Sequence, residues 1–194
     1  RDEADDSVLN MAGLNKEDDI FAPIIQSTKR RTLWLGANLI TAILAAAAIG
    51  IFEATIEKIV TLAILMPIVA SMGGIAGMQS LALVIRSQAT NQIGSSNSKL
   101  LILKESAIGV LNGILWSSVV SIAVYLWFES IFLGVVIAVA LLVNLIIGAI
   151  SGVTLPLILK KLNIDPAIAG GVILTTITDI VGFISLLGVA TLIM

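Results

Sequence analysis

Residues 167–194 read AIAGGVILTTITDIVGFISLLGVATLIM, and this stretch decides the class of fold. It is an apolar run in which Asp179 is the one charged side chain. A helix needs about 20 apolar residues to cross the hydrocarbon core of a bilayer, so this segment is long enough to span a membrane. We therefore expect a transmembrane helix here, with a carboxylate near its middle.

Four further apolar runs precede it, at residues 33–52, 59–85, 101–128 and 131–159. The whole chain is 58% hydrophobic and 12% charged, whereas soluble domains carry about 25% charged residues. No stretch alternates between polar and apolar residues as the strands of a membrane barrel do. The sequence predicts an all-α integral membrane protein with five transmembrane helices per subunit, in one domain at 32–194.

Residues 1–31 are the soluble-looking part of the chain, and acidic side chains such as Asp5 and Asp6 dominate their start. Scattered apolar residues allow a short amphipathic cytoplasmic helix, and Pro23 favours a helix start because proline is tolerated in the first turn. We expect a connecting segment here. We also expect the chain to be part of a longer protein, because it opens on Arg1 without a signal sequence.

The basic residues predict the orientation, because cytoplasmic loops carry an excess of lysine and arginine. With a cytoplasmic N-terminus and five spans, Lys58 is the one basic residue on the outer side. The inner side then holds Arg1, Lys16, Lys29, Arg30, Arg31, Arg86, Lys99, Lys104, Lys160 and Lys161. We expect a multi-pass protein of the cell (inner) membrane.

The composition excludes several classes of function. The chain has no cysteine and no histidine, so it lacks thiolate and imidazole metal ligands and the usual general base. One central carboxylate leaves too few groups for an intramembrane enzyme. No basic face suggests nucleic acid as a partner. Any metal ion must meet oxygen ligands, which suits Mg²⁺, Ca²⁺ or Mn²⁺.

Asp179 is the first candidate site residue. Placing a carboxylate at mid-membrane costs about 2.5–3.5 kcal/mol, and such a residue normally faces a water-filled path, pairs with a cation or is protonated. Small and hydroxylated residues share its helical face at i, i+3 and i+4 spacing; they are Gly171, Thr175, Thr178 and Gly182. These features favour an aqueous path, and a packing seam of glycine and threonine is the alternative.

The second span carries the other pattern that indicates a functional site, in residues 66–80, which read MPIVASMGGIAGMQS. Pro67 removes a backbone donor, and the three glycines Gly73, Gly74 and Gly77 weaken a helix. We expect this helix to be broken or opened. Irregular backbone at membrane depth needs protein or water to satisfy it, so the pattern indicates a cavity, with Gln79 adding a polar group to it.

Two further patterns indicate helix packing. Small residues four positions apart allow helices to approach closely, and the pairs are Gly109 with Gly113 and Gly148 with Gly152. Amide side chains within spans are expected to form interhelical hydrogen bonds, and they are Asn38, Asn112 and Asn144.

The second and fifth spans together resemble the MgtE magnesium channel family. The similarity lies in residues 67–86, with the pattern Gly73-Gly74-x-x-Gly77-x-Gln79-Ser80. It also lies in Asp165-Pro166 and in the later run Thr178-Asp179-Ile180-Val181-Gly182-Phe183. Two motifs in the right order, in distant spans of matching length, carry the resemblance over the whole transmembrane part.

The resemblance implies a homodimer whose pore lies on the dimer axis and is lined by the second and fifth spans. It implies a Mg²⁺ channel in which Asp179 holds the hydrated ion, with the Thr175 carbonyl one turn earlier. Asp165 is implied as a metal contact on the cytoplasmic side, and Asp5 and Asp6 as further cytoplasmic contacts. The implied pore lining is Gly73, Gly74, Gly77, Gln79, Gly171, Thr178 and Gly182.

This sequence departs from the family pattern in two respects. Ile75 stands where the commoner pattern has asparagine after the glycine pair, and Met78 and Ala82 replace polar pore residues. Selectivity among Mg²⁺, Mn²⁺, Co²⁺ and other divalent ions therefore stays open. The family's regulatory N-terminal domain and CBS pair are not in this sequence, so we expect them elsewhere in a longer chain.

Two alternatives to a channel remain from the residues themselves. The first is a proton- or ion-coupled secondary transporter in which Asp179 is a titrating carboxylate. The second is an assembly subunit in which Asp179 pairs with a basic residue of a partner.

Overall fold

The computed structural model describes residues 23–90 and 98–194, and within these ranges the chain folds into helices without strands. Six helices are described. In chain order they are α1 (Ile24–Gly50), α2 (Glu53–Lys58), α3 (Thr61–Ala89), α4 (Ser98–Phe128), α5 (Ile131–Lys161) and α6 (Pro166–Ile193).

Five of the described helices are long and apolar enough to cross a membrane, and α2 is a short helix between the first two of them. The five predicted spans are therefore confirmed. Helix α1 begins immediately after Pro23, and it runs without a break through the boundary predicted at residues 31–32. The predicted amphipathic helix and the acidic residues Asp5 and Asp6 lie outside the described residues.

Helix α5 is the centre of the bundle, because it packs against α3, α4 and α6. Helices α3 and α6 also pack against each other, and α1 lies against α6 at the edge. Side chains of α5 are apolar on most of its circumference, which is typical of a helix surrounded by other helices. Helices α1 and α4 instead present broad apolar surfaces outward, such as Leu39 on α1 and Leu111 on α4.

Helix α3 is continuous from Thr61 to Ala89, through Pro67 and the glycines, so the predicted break in the second span is wrong. The glycines serve close packing instead. A Cβ on Gly148 of α5 would lie 2.6 Å from the carbonyl oxygen of Gly73. The backbones of α3 and α5 thus touch over this segment, and the contact supports a helix that glycine alone would weaken.

Two apolar clusters stabilise the bundle toward its two ends. The cluster toward the turn between α4 and α5 joins α3, α4, α5 and α6, and includes Leu65, Ile137 and Leu186. A smaller one, toward the turn between α5 and α6, includes Leu81 and Leu174. The glycines of α3 and the polar side chain of Asn144 on α5 lie between the two clusters along the helix axes.

The connections are short. Glu129, at a φ of 51°, and Ser130 join α4 to α5, as the sequence predicts. Ser130 caps α5 by accepting a hydrogen bond from the Leu133 amide at 3.3 Å. Between α5 and α6 Asn163, with a φ of 57°, forms the turn, a conformation that asparagine tolerates better than most residues.

Candidate cation-binding groove

A groove of about 620 Å³ runs between α3 and α6, and Asp179 lies in its wall. Its polar side chains are Ser71 and Gln79 from α3 and Thr175 and Asp179 from α6. The remaining lining is Ala70, Gly74, Ile75, Met78 and Ala82. The groove therefore brings together the two spans that the sequence singled out.

The α6 wall of the groove offers hydrogen-bond acceptors. The Thr175 hydroxyl donates at 3.1 Å to the carbonyl oxygens of Gly171 and Val172. Its proton is thus directed into the helix, which leaves the oxygen lone pairs free to accept. One turn later, the Asp179 carboxylate is half-buried and, when ionised, also accepts hydrogen bonds without donating any. Such a surface suits the outward-pointing hydrogens of water molecules around a cation.

One side of the groove is open in the single chain. Ser71 and Gln79 are exposed although both lie well inside a membrane-spanning helix, and Ile75 is 55% exposed beside them. Polar side chains at membrane depth normally face protein or water rather than lipid. The open side is therefore a surface that lipid alone covers poorly.

Several predicted pore-lining residues lie behind the groove rather than in it. Gly73 is buried against α5, Gly77 is buried between α5 and α6, and Thr178 is fully buried. Gly182 is buried against Asn144 and Val69. A helix turns by 100° per residue, so Gly73 and Thr178 point away from the groove that their neighbours Gly74 and Asp179 line. Gly77 and Gly182 lie three residues further on, about 60° round their helices. All four residues lie outside the groove lining of the single chain, and their place in a pore stays a prediction.

Gly171 and Asp165 lie further toward the start of α6. Gly171 is half-buried, and a Cβ there would be 3.9 Å from the Met78 side chain at the groove. Asp165 is exposed and caps α6, since its Oδ1 accepts from the Ala167 amide at 2.8 Å. Asp165 precedes Asp179 by about 21 Å of helix, so these two carboxylates do not share a site.

A metal ion bound directly by several carboxylates has no place in the described part of the chain. Residues 23–90 and 98–194 contain no group of three or more Asp, Glu, His or Cys side chains that could hold one. A cation at Asp179 would therefore meet one carboxylate per chain and otherwise hydroxyl, amide and water oxygens. This arrangement suits an ion that keeps most of its water.

Asn144 of α5 forms the polar layer behind the groove. Its side chain is fully buried, and Nδ2 donates to the carbonyl oxygen of Val69 on α3 at 2.8 Å. The interhelical hydrogen bond predicted for Asn144 is confirmed. Asn38 instead donates to Trp34 of its own helix, so that prediction is wrong. Asn112 is exposed on α4, in the wall of a cavity between α3, α4 and α5, and its interhelical hydrogen bond stays a prediction.

The residues that depart from the family pattern all reach the groove. Ile75, Met78 and Ala82 line it over one stretch of α3, with Gln79 between them. Their side chains give this stretch an apolar wall, whereas the α6 side carries the carboxylate. Ser71 also lines the groove, and it was not predicted as a site residue. The helical spacing from Ser71 to Ile75, Met78 and Ala82 is the signal that identifies it.

Glu105 of α4 was also missed. It is 6% exposed and accepts a hydrogen bond from the Ser80 hydroxyl of α3 at 2.8 Å. The signal in the sequence was a carboxylate within an apolar span, the same signal that identified Asp179. The neighbouring Lys104 made this position look like the polar end of a helix.

The five long apolar helices define the class of the protein as a multi-pass integral membrane protein, with a carboxylate in a groove between two of its spans. The profile of the MgtE family, described as a divalent cation transporter, matches residues 66–189. The chain belongs to the MgtE family.

Three curated relatives carry the name magnesium transporter MgtE. The protein of Bacillus subtilis is 34% identical over 189 residues, covering 97% of this chain and 42% of the relative. That of Enterococcus faecalis is 30% identical over 193 residues, covering 100% and 42%. That of Thermus thermophilus is 30% identical over 164 residues, covering 84% and 36%. The chain thus spans less than half the length of these relatives.

Proposed function

We propose that this chain forms a homodimeric channel for divalent cations, with Mg²⁺ as its ion, and that the groove between α3 and α6 is one half of the pore. The observation that carries the proposal is the position of Asp179 in this groove. The relatives named as magnesium transporters support Mg²⁺ as the ion. The pore crosses the cell membrane with the N-terminus on the cytoplasmic side.

Size and hydration favour an ion that keeps its water. Mg²⁺ dehydrates reluctantly and keeps several waters in many of its sites. Six waters occupy about 180 Å³ at their liquid volume, and the groove of one chain is about 620 Å³. The hydrated ion thus has room beside Asp179 and Thr175. Both residues offer the acceptors that its water molecules require.

A second copy would close the open side of the groove. In a two-fold dimer with the groove on the axis, Ser71 and Gln79 of both copies would face the pore instead of lipid. Two Asp179 carboxylates would then face each other and repel when the pore is empty, and a divalent cation would relieve this repulsion. The charge of the pair matches that of one divalent ion.

The test is divalent-ion flux into proteoliposomes for the wild type and Asp179→Asn, which removes the charge and keeps the shape. We expect flux to fall about tenfold or more, because a loss of about 1.4 kcal/mol in ion attraction is already tenfold. The control is Glu129→Gln, which removes a carboxylate at the outer turn, away from the groove, and should leave flux close to that of the wild type.

The ion series and the driving force complete the test. Flux of Mg²⁺ compared with Mn²⁺, Co²⁺ and Ca²⁺ determines selectivity. A channel conducts without an imposed proton gradient. Flux that requires such a gradient would replace the proposal with a coupled transporter in which Asp179 titrates. Normal flux in Asp179→Asn would refute the role of the groove.

A further inference from the structure

A second polar cavity lies on the opposite side of Gln79 from the groove. It has a volume of about 120 Å³ and lies between α3, α4 and α5. Its polar lining consists of Gln79, Ser80, Glu105 and Asn112, and its other walls are apolar. We call this second cavity the Glu105 cleft. Because Gln79 lines both the cleft and the groove, the two meet at its side chain.

Glu105 is the charged group of this cleft. Its side chain is 6% exposed, and among the described residues the Ser80 hydroxyl is its hydrogen-bond partner, with no lysine or arginine paired to it. The neighbouring Lys104 is exposed and therefore points away from the buried face that Glu105 occupies. A buried carboxylate without a paired charge is costly, and a bound cation or a proton lowers that cost.

The cleft can accommodate a small cation with its ligands. A carboxylate with one hydrogen bond to one of its oxygens has lone pairs left to offer. The amide oxygens of Gln79 and Asn112 and the Ser80 hydroxyl add neutral oxygen ligands along the same walls. Oxygen ligands of this kind suit hard cations.

Charge decides which cation fits. One carboxylate balances one positive charge, whereas a divalent ion would leave a net charge in a largely apolar site. The cleft, with a volume of about 120 Å³, has room for an ion and part of its hydration shell. Mg²⁺ sheds its water reluctantly, so a monovalent ion that exchanges water for protein oxygens more easily suits the cleft better.

We propose that the Glu105 cleft binds a monovalent metal cation of the size of Na⁺, held by Glu105 and by the oxygens of Ser80, Gln79 and Asn112. The site is distinct from the groove and does not depend on the proposed conduction of Mg²⁺. Gln79 is the residue through which the ion enters from the groove, since it is exposed and lies between the two cavities.

The experiment measures equilibrium binding of ²²Na⁺ to the chain in lipid nanodiscs, with choline chloride holding ionic strength constant. We expect saturable binding for the wild type and equal binding for Asp179→Asn, which removes the charge of the groove. Glu105→Gln should abolish binding. Ser80→Ala, which removes one oxygen and the hydrogen bond, should weaken it about tenfold.

Thermal unfolding of the same samples provides a second readout, because a ligand that binds the folded state raises Tm. Na⁺ should raise the Tm of the wild type and of Asp179→Asn but not that of Glu105→Gln. Ser80→Ala decides the question if Glu105→Gln does not fold. The proposal is overturned if the wild type binds no Na⁺, if both cleft variants bind it normally, or if Mg²⁺ displaces it in Asp179→Asn.

Discussion

One amide side chain determines how closely three helices approach in the middle of the membrane. Asn144 is held by its hydrogen bond to Val69 on α3, while its Oδ1 is buried without a hydrogen-bond partner in the described structure. Gly73 of α3 and Gly182 of α6 lie against the same amide, and a Cβ on Gly182 would be 2.8 Å from Nδ2. Both helices that form the groove, α3 and α6, therefore pack against Asn144.

This contact gives a prediction at the scale of the residue. Gly73→Ala places a methyl group inside the volume of the Asn144 side chain, and we expect it to destabilise the protein by about 1–3 kcal/mol, the usual cost of overpacking. The change should also lower flux, because it moves α3 relative to α6. Thermal unfolding in detergent and proteoliposome flux measure the two effects.

Two further variants serve as controls for the contact between Gly73 and Asn144. Gly36→Ala, on α1, adds the same methyl where nothing lies within 4 Å, and it should be neutral or slightly stabilising. Asn144→Ala removes the side chain that the new methyl group of Gly73→Ala would clash with. The double variant should therefore be more stable than additivity of the single variants predicts. Strict additivity would show that the two side chains do not meet.

At the scale of helices, the contact between α3 and α5 is made of backbone. A Cβ on Gly148 would lie 2.6 Å from the Gly73 carbonyl oxygen. A Cβ on Gly113 of α4 would meet the Leu142 Cδ1 at 2.9 Å, and this atom is the end of a flexible side chain. The same substitution thus meets a rigid obstacle in one helix pair and a movable one in the other.

We therefore expect Gly148→Ala to lower the Tm more than Gly113→Ala. Leu142 can change its rotamer, whereas α3 can yield to a methyl group on Gly148 only by moving as a whole. Unfolding of both variants in the same detergent provides the comparison. Equal losses of Tm would contradict the backbone contact, and they would indicate that the helices separate easily at Gly148.

The helices are the level at which sequence reasoning succeeds most fully. The length of each apolar run and the short polar gaps between runs were sufficient to predict five spans, since a bilayer requires a minimum length. The glycine pairs Gly109/Gly113 and Gly148/Gly152 were correctly predicted to pack. The break at Pro67 was not, because helix propensity is local, and contact with α5 supports the glycine-rich part of α3.

The site was less accessible to the sequence, for a geometric reason. Periodicity placed Thr175 and Asp179 on one helical face, and the family resemblance implied that Gln79 lines the same pore. The structure has all three in the groove wall. The sequence could not distinguish Gly74, which lines the groove, from Gly73, which packs behind it. Periodicity shows which residues share a helical face, but the packing of the other helices determines which face lines the groove. The carboxylate of Glu105 within an apolar span was a signal in the sequence, but its contact with Ser80 of α3 depends on how the helices pack.

At the scale of the whole molecule, the open side of the groove is the feature that a single chain does not explain. Ser71 is polar and exposed in the lipid-embedded part of α3, in the groove wall that also carries Asp179. Leu111 of α4 is 68% exposed as well, but it is apolar and suits lipid. We therefore expect Ser71 to face protein or water and Leu111 to face lipid.

A dimer closed around the groove brings Ser71 of one copy close to Ser71 of the other, as a two-fold axis requires. The chain has no cysteine, so Ser71→Cys and Leu111→Cys each introduce a single reactive thiol. We expect Ser71→Cys to form covalent dimers rapidly in membranes treated with Hg²⁺ or a permeant oxidant, while Leu111→Cys stays monomeric on the same timescale. Equal rates for the two variants would mean that random collision accounts for the cross-linking, and the groove would then face something other than its own copy.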